Sequence, residues 1–248
     1  MEADGPLTEK DDKPLFVSYP KSGRTWIRYF LSLRGIRIEF SHAGTSSGNK
    51  ELGRRIKRFD TSHAVRRRII FMHRNPIDTA ISLYFQVHKK DFRLGSRRYI
   101  RRFPAYILQG RLPPRTLEHF LEHPGYGVEK ISRFNAAWLA ALRSHPDCLV
   151  FSYEEARANE ERTFARLLDF LGADGTGLSE TIEESSFHRM QQHEKDGAPK
   201  SLRLKIAIPG DPDSAKVRRG KIHGYLDYLD PPLADKYRAV AARYGFKA

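Results

Sequence analysis

The chain has 248 residues with a formal net charge of +14, and hydrophobic residues make up 40% of it. This length suits one large domain, and the apolar content excludes an intrinsically disordered chain. The single cysteine, Cys148, excludes an internal disulfide and a cysteine metal cluster, and no apolar run approaches the ~20 residues of a transmembrane helix. The positive charge predicts an anionic partner.

The domain limits follow from local composition. Residues 1–13 are rich in acidic side chains and lack the apolar core of a signal peptide, which predicts a disordered acidic tail and a cytoplasmic protein. Residues 14–248 then form a single domain. Between residues 90 and about 126 arginine and proline are frequent, which predicts a basic insertion of short helices.

The first elements alternate between strand and helix. Leu15 to Tyr19 form a short apolar run between two prolines, which predicts a buried strand. The apolar residues from Trp26 to Leu33 recur at helical spacing, and Gly35 is placed to end that helix. Ile36 to Phe40 alternate with charged residues, which predicts a second strand reaching Ser41 and His42.

The alternation continues through the middle of the chain. Ile69 to Met72 predict a strand, and Asn75 and Pro76 then open a helix as its cap and first residue. The later segments follow the same order: an amphipathic helix from Val128 to Leu142, a strand from Leu149 to Phe151 and a helix from Thr163 to Leu171. We therefore predict an α/β domain whose central, mainly parallel sheet is covered by helices on both faces, with ligands at the carboxyl ends of the strands.

Residues 19–26, YPKSGRTW, have the composition of a phosphate-binding turn between a strand and a helix. Gly23 lets backbone amides approach an anion, Lys21 adds a positive charge, and Ser22 and Thr25 offer hydroxyl groups. The turn resembles a P-loop but departs from the nucleoside triphosphatase pattern, because the lysine precedes the glycine. An ordinary strand-to-helix turn is the alternative.

Residues 74–82, RNPIDTAIS, begin at a second strand end. Arg74 lies at the helix entrance and Ser82 two turns further, about 12 Å away by helical rise. A group of the size of a nucleotide could contact both residues. The alternative is that Arg74 pairs only with Asp78 and that Ser82 is a surface residue.

Together these two segments resemble the cofactor motifs of the sulfotransferases that use 3′-phosphoadenylyl sulfate (PAPS). YPKSGRTW is similar to the family's 5′-phosphosulfate loop and RNPIDTAISLYF to its 3′-phosphate element. Three further segments resemble family motifs in the same order: FSYEE at 151–155, SSFHRM at 185–190 and VRRG at 217–220. The resemblance implies transfer of a sulfuryl group from PAPS to a hydroxyl acceptor, with release of adenosine 3′,5′-bisphosphate and without a metal.

The resemblance also implies roles for individual residues. The 5′ end of the cofactor and its adenine would be held by Lys21, Ser22, Gly23, Arg24, Thr25 and Trp26. The 3′-phosphate would be held by Arg74, Ser82, Arg218, Arg219 and Gly220. Tyr153 would lie near the adenine, and Ser185 is a further candidate contact.

The reaction needs a base for the acceptor proton and a positive group for the leaving phosphate. FSHAG at 40–44 resembles the family's strand-end histidine segment, in the version of its bacterial members, so His42 is the predicted base and Lys21 the electrostatic catalyst. His63, eleven residues before Arg74, is the rival base.

Other interpretations are open at this point. A nucleoside triphosphate kinase would also place a phosphate loop after the first strand. A nucleic-acid-binding module would account for the charge, but no zinc-finger or RNA-recognition signature accompanies it. His119 and His123 have metal-ligand spacing, although an exposed helix face is the simpler interpretation.

The acceptor is the least defined partner. Its pocket is expected to draw on residues 43–62, 86–126 and 190–215. The arginine-rich residues 93–115 could recruit a carboxylated, sulfated or phosphorylated acceptor, and a peripheral membrane contact and the oligomeric state are left open.

Overall fold

A computed structural model of the chain describes residues 13–42, 53–62, 67–91, 104, 106–196, 211 and 220–247. Within these residues, four short strands form one sheet. They are β1 (Leu15–Val17), β2 (Glu39–Ser41), β3 (Ile69–His73) and β4 (Cys148–Ser152).

The strand order is β2-β1-β3-β4, and every pairing is parallel. Because parallel strands end at the same edge, the residues that follow them meet there. These are Ser18 after β1, His42 after β2, Arg74 after β3 and Tyr153 after β4. Three of these four residues were predicted as site residues from the sequence alone.

The α-helices that the structure describes are α1 (Arg24–Leu33), α2 (Pro76–Gln86), α3 (Leu117–Glu122), α4 (Val128–Leu142), α5 (Tyr153–Ala158), α6 (Glu160–Leu171), α7 (Leu178–Glu184), α8 (Phe187–Lys195) and α9 (Pro231–Ala242). A π-helical turn (Val87–Asp91) extends α2, and a 3-10 helix (Gly224–Asp227) precedes α9.

The helices cover both faces of the sheet, as predicted. Successive residues of β3 point to opposite faces of the sheet, and each face has its own hydrophobic core. Ile69 and Phe71 pack with α2, α4 and α9 on one face, whereas Ile70 and Met72 pack with α1 and α6 on the other. Burial on both faces explains why the strands are continuous apolar runs.

Several predicted bounds are confirmed, including α4, the start of α2 at Pro76 with Asn75 as its cap, and the end of α1 before Gly35. The second strand is shorter than predicted, because it begins only at Glu39. No described helix is long and apolar enough to cross a membrane. Residues 1–12 of the predicted tail and part of the basic insertion lie outside the described residues, so those domain limits stay predictions.

Candidate active site

A cavity of about 240 Å³ opens at the carboxyl edge of the sheet. It brings together residues from both predicted cofactor motifs, from the end of β2 and from the C-terminal part of the chain. The predicted site residues that line it are Lys21, Gly23, Arg24, Thr25, Trp26, His42, Arg74, Ser82, Tyr153 and Gly220.

Two predicted residues do not line this cavity. Ser22 is fully buried, and its hydroxyl has no hydrogen-bond partner. Ser185 is also fully buried, and its hydroxyl donates to the carbonyl of Ile182 at 3.2 Å. Arg218, Arg219 and the rival base His63 lie outside the described residues.

The turn between β1 and α1 has a backbone suited to binding an anion. Gly23 has φ +100°, and a Cβ there would come within 2.8 Å of both the Met72 and the Tyr153 side chains. Lys21 also has a positive φ, of 76°, which is rare for a residue with a side chain. Helix α1 has no side-chain cap and no acidic residue in its first turn, and its first three residues, Arg24 to Trp26, line the cavity.

Arg74 is held in place by several contacts. Its Nη1 and Nη2 donate to the carbonyls of Lys21 at 3.4 Å and of Lys221 at 3.2 Å. The guanidinium lies over the Tyr153 ring, 4.4 Å from its centroid, and 3.8 Å from the Asp78 carboxylate. Only 12% of the Arg74 side chain is exposed. The residue is therefore pre-positioned rather than mobile.

Asp78 links α2 to the segment that begins at Gly220. Its Oδ1 accepts a 2.8 Å hydrogen bond from the amide of Tyr225, and the Tyr153 hydroxyl donates to the carbonyl of Gly220 at 3.0 Å. Burial raises the pKa of Asp78, and this outweighs the opposing effect of Arg74. The Arg74–Asp78 pairing expected as an alternative is thus present, and it coexists with the placement of Arg74 in the cavity.

His42 lines the cavity with an uncharged imidazole. Its Nδ1 lies 2.7 Å from the carbonyl oxygen of Ser18, which only accepts, so Nδ1 carries the proton and Nε2 is the basic nitrogen. Burial lowers the pKa of His42 to about 3, and the positive charges of Arg24 and Arg28 act in the same direction. The imidazole is therefore uncharged at neutral pH.

An aromatic and thioether surface lies beside the cationic groups. Trp26 and Tyr153 meet edge to face at 6.0 Å, and Phe187 and Met190 complete the lining. Gly220, with φ +63°, packs against Phe187 so closely that a Cβ would lie 2.5 Å from the ring. This surface suits a flat heterocycle.

Other lining residues were not assigned to the site from the sequence: Arg28, Ile81, Gln86, Arg157, Phe187, Met190, Lys221, Gly224 and Tyr228. Four of these residues had a usable signal: Ile81, Phe187 and Met190 lie inside segments that resemble family motifs, and Arg28 lies one turn after Arg24 in a predicted helix. Gln86 and Met190 are the lining residues that come from the segments predicted for the acceptor pocket.

The two histidines with metal-ligand spacing make hydrogen bonds to neighbouring residues in the chain. His119 Nδ1 lies 2.9 Å from the Thr116 hydroxyl, and His123 Nδ1 accepts from the amide of Gly125 at 3.0 Å. Within the described residues, no group of three His, Cys, Asp or Glu is arranged to hold a metal ion.

The cavity residues fit the chemistry of PAPS. The uncapped α1 terminus and Lys21 suit the 5′-phosphosulfate, the Arg74 fork suits a terminal phosphate, and the aromatic surface suits adenine. The Nε of Arg74 and the Nε1 of Trp26 are buried without hydrogen-bond partners, as expected for a site that is completed by a ligand.

Comparison with known proteins gives the same assignment. A protein-family model, that of the sulfotransferase domain, matches residues 59–244 of this chain. The 3-alpha-hydroxysteroid sulfotransferase of Cavia porcellus is 25% identical over 219 residues, a match that covers 75% of this chain and 68% of that protein.

Two solved structures share the fold. Mouse sulfotransferase SULT7A1 complexed with PAP has a TM-score of 0.59 and 18% identity, and the match covers 97% of this chain and 87% of that chain. Retinol dehydratase in complex with androsterone and inactive cofactor PAP has a TM-score of 0.56 and 16% identity, covering 96% and 81%. Because the domain model spans most of the sequence, the chain belongs to the sulfotransferase family, and it is a PAPS-dependent enzyme.

Proposed function

We propose that this chain transfers the sulfuryl group of PAPS to a hydroxyl group of a small-molecule, sugar or lipid acceptor and releases adenosine 3′,5′-bisphosphate (PAP). The observation that carries the proposal is the neutral His42 in the same cavity as Lys21 and the uncapped end of α1. In the reaction, the acceptor oxygen forms a bond to sulfur as the sulfur–oxygen bond to the 5′-phosphate breaks. The leaving phosphate keeps the electron pair of that bond.

The donor is held by three groups of residues in this proposal. Lys21, Gly23, Arg24 and Thr25 bind the 5′ end, where the amides at the start of α1 add a partial positive charge. Arg74, Ser82 and Gly220, together with Arg218 and Arg219, bind the 3′-phosphate. Trp26 and Tyr153 contact the adenine. Ser22 and Ser185 are buried, so in this proposal they stabilise the segments that carry the donor-binding residues.

His42 accepts the acceptor's proton at Nε2. The hydrogen bond from Nδ1 to Ser18 fixes the ring orientation and the tautomer that this role needs. Arg24 and Arg28 lower the pKa of His42, so a bound anionic donor offsets part of their effect and makes the imidazole a stronger base. The base therefore becomes stronger when the donor is present.

Lys21 stabilises the charge that develops on the oxygen bridging sulfur and phosphorus. Its position in the turn directly after β1 brings it to the same edge of the sheet as His42 after β2. A positive group at the leaving oxygen and a base at the attacking oxygen are what an in-line transfer requires.

The test compares His42→Ala with His119→Ala, which removes an exposed histidine on α3. We expect His42→Ala to bind PAP with an affinity within about threefold of the unmodified chain, because the hydrogen bond that it loses does not involve the donor. Its turnover with labelled PAPS and a panel of hydroxyl compounds should fall by about 10²–10⁴-fold. His119→Ala should match the unmodified chain in both measurements.

Two results would contradict the proposal in different ways. Full turnover by His42→Ala would show that His42 is not the base, but it would leave the proposed donor site unaffected. Absence of PAP binding by the unmodified chain at millimolar concentration would remove the donor site itself. A cytoplasmic location stays a prediction.

A further inference from the structure

Arg28 extends the cationic wall of the cavity beyond the residues assigned to the donor. It lies one turn after Arg24 on α1 and lines the cavity together with His42. Its guanidinium lies over the Phe40 ring, 4.4 Å from the centroid. Phe40 precedes His42 by two residues, and residues two apart along an extended segment point to the same side. Arg28 is therefore fixed beside the candidate base.

Arg24 and Arg28 lie four residues apart on one face of α1, and both line the cavity. Arg24 is in the first turn of the helix, which contains no acidic residue, and Arg28 is in the next turn. The wall that α1 contributes to the cavity is therefore cationic over two helical turns.

The two arginines are assigned to different parts of the cavity. The 5′ end of the donor is assigned to the first turn of α1, with Lys21 and Arg24. Arg28 lies four residues further along the helix, about 6 Å by helical rise, on the side of Phe40 and His42. That side is where the acceptor hydroxyl must lie, because His42 takes its proton.

We propose that Arg28 binds an oxyanion on the acceptor, so that the enzyme prefers hydroxyl compounds that also carry a carboxylate, phosphate or sulfate group. This inference rests on the proposed function of the cavity. The planar guanidinium, held against Phe40, can present two parallel donors to such a group, which suits an oxyanion better than a neutral amide. Arg28 is then a specificity-determining residue.

The test measures binding of matched compounds to the PAP-saturated protein by calorimetry. The probes are 4-hydroxybenzoate with 4-hydroxybenzamide, 4-hydroxyphenylacetate with its amide, and glucuronate with glucuronamide. The variants are Arg28→Gln and Arg28→Lys. The control, Arg37→Gln, removes the same charge from an exposed residue that does not line the cavity.

We expect the unmodified protein to bind the carboxylate of at least one pair about ten- to a hundredfold more tightly than the amide, as charge-assisted hydrogen bonds allow. Arg28→Gln should abolish this preference, Arg28→Lys should retain part of it, and Arg37→Gln should retain all of it. PAP affinity should change less than about threefold in all variants, which also reports that each one is folded.

The inference is overturned if no pair shows a preference for the carboxylate, or if Arg28→Gln and Arg28→Lys both keep that preference. A tenfold loss of PAP affinity in Arg28→Gln and in Arg28→Lys, with normal unfolding curves, would also overturn it, because Arg28 would then bind the donor. Failure of the unmodified protein to bind PAP would instead remove the proposed function, so the two failures are distinguishable.

Discussion

Replacing Arg74 by lysine keeps the positive charge but removes the planar fork. In the structure one guanidinium satisfies the carbonyls of Lys21 and Lys221, contacts the ring of Tyr153 and lies beside Asp78. A lysine ammonium is a point charge on a flexible stem and cannot make all of these contacts at once. It can still pair with Asp78, whose side chain is only 2% exposed.

The expected magnitudes follow from these contacts. The carbonyl hydrogen bonds, at 3.2 and 3.4 Å, are long and contribute little, and the contact with Tyr153 contributes about 1 kcal/mol. We expect Arg74→Lys to lower the free energy of unfolding by about 1–2 kcal/mol, because Asp78 keeps a partner. In the proposed site the Arg74 fork donates two hydrogen bonds to the 3′-phosphate, and a lysine can replace only one of them. Loss of the other should weaken PAP binding by about ten- to a hundredfold.

The assay is calorimetric titration with PAP, combined with urea unfolding of the same samples. Arg166→Lys is the matched control, because Arg166 pairs with Glu155 at a partly exposed position outside the cavity. It should leave both the PAP affinity and the unfolding free energy unchanged within error. If Arg74→Lys bound PAP as tightly as the unmodified chain, the assignment of Arg74 to the 3′-phosphate would be refuted.

Two further changes test separate parts of the structure. Ser82→Ala removes a hydroxyl that lines the cavity, and we expect titration with PAP to show about a tenfold loss of affinity without a change in unfolding free energy; an unchanged affinity would exclude Ser82 as a ligand. His73 has a pKa that burial lowers to about 4, so the unfolded chain binds the proton more readily between about pH 6.5 and 4, and stability is lost as the pH falls through that range. His73→Gln should reduce this loss by up to about 3 kcal/mol in urea unfolding at a series of pH values, and an unchanged pH dependence would contradict the inferred pKa.

The sequence was sufficient for elements whose apolar pattern and end signals agree. Helix α2 has Asn75, Pro76 and Asp78 at its start, and the Asn75 side chain does accept from the amides of Ile77 and Asp78. Helix α5 was missed because no loop separates it from β4, and Ser152 is both the last residue of the strand and the cap of the helix. No loop-forming residues therefore mark the boundary between β4 and α5 in the sequence.

The strand before His42 shows why local alternation overestimates strand length. Ile36 and Ile38 alternate with charged residues, but they are only half-buried against the core that contains α1. Pairing with β1 begins at Glu39, opposite Leu15. β1 itself starts only at Leu15, and Pro14 before it has no amide hydrogen with which to continue the pairing. The length of one strand therefore depends on that of its partner, which a local pattern does not contain.

Most of the cavity-lining residues assigned to the donor could be identified from the sequence because they lie in contiguous segments. A turn that offers backbone amides and a lysine to a phosphate must be local, so eight residues of sequence contain most of it. Lys221, Gly224 and Tyr228 reach the cavity only because Arg74, Asp78 and Tyr153 hold residues 220–225 against the start of α2. Those tertiary contacts join positions far apart in the chain, so the spacing of residues within a short segment does not predict them.

The two helix N-termini at the sheet edge imply two different ways of binding the donor's anionic groups. The amides at the start of α1 lack a side-chain cap, so they can bind an anion directly. The corresponding amides of α2 already donate to Asn75, and the carboxylate of Asp78 adds a negative charge in that first turn. An anion beside α2 must therefore be bound by side chains, which is the role proposed for Arg74 and Ser82. In the proposed site, binding of the 5′ end of the donor thus depends on backbone geometry that tolerates few substitutions at Gly23. Binding of the 3′ end depends instead on a guanidinium whose position is set by Tyr153 and Asp78.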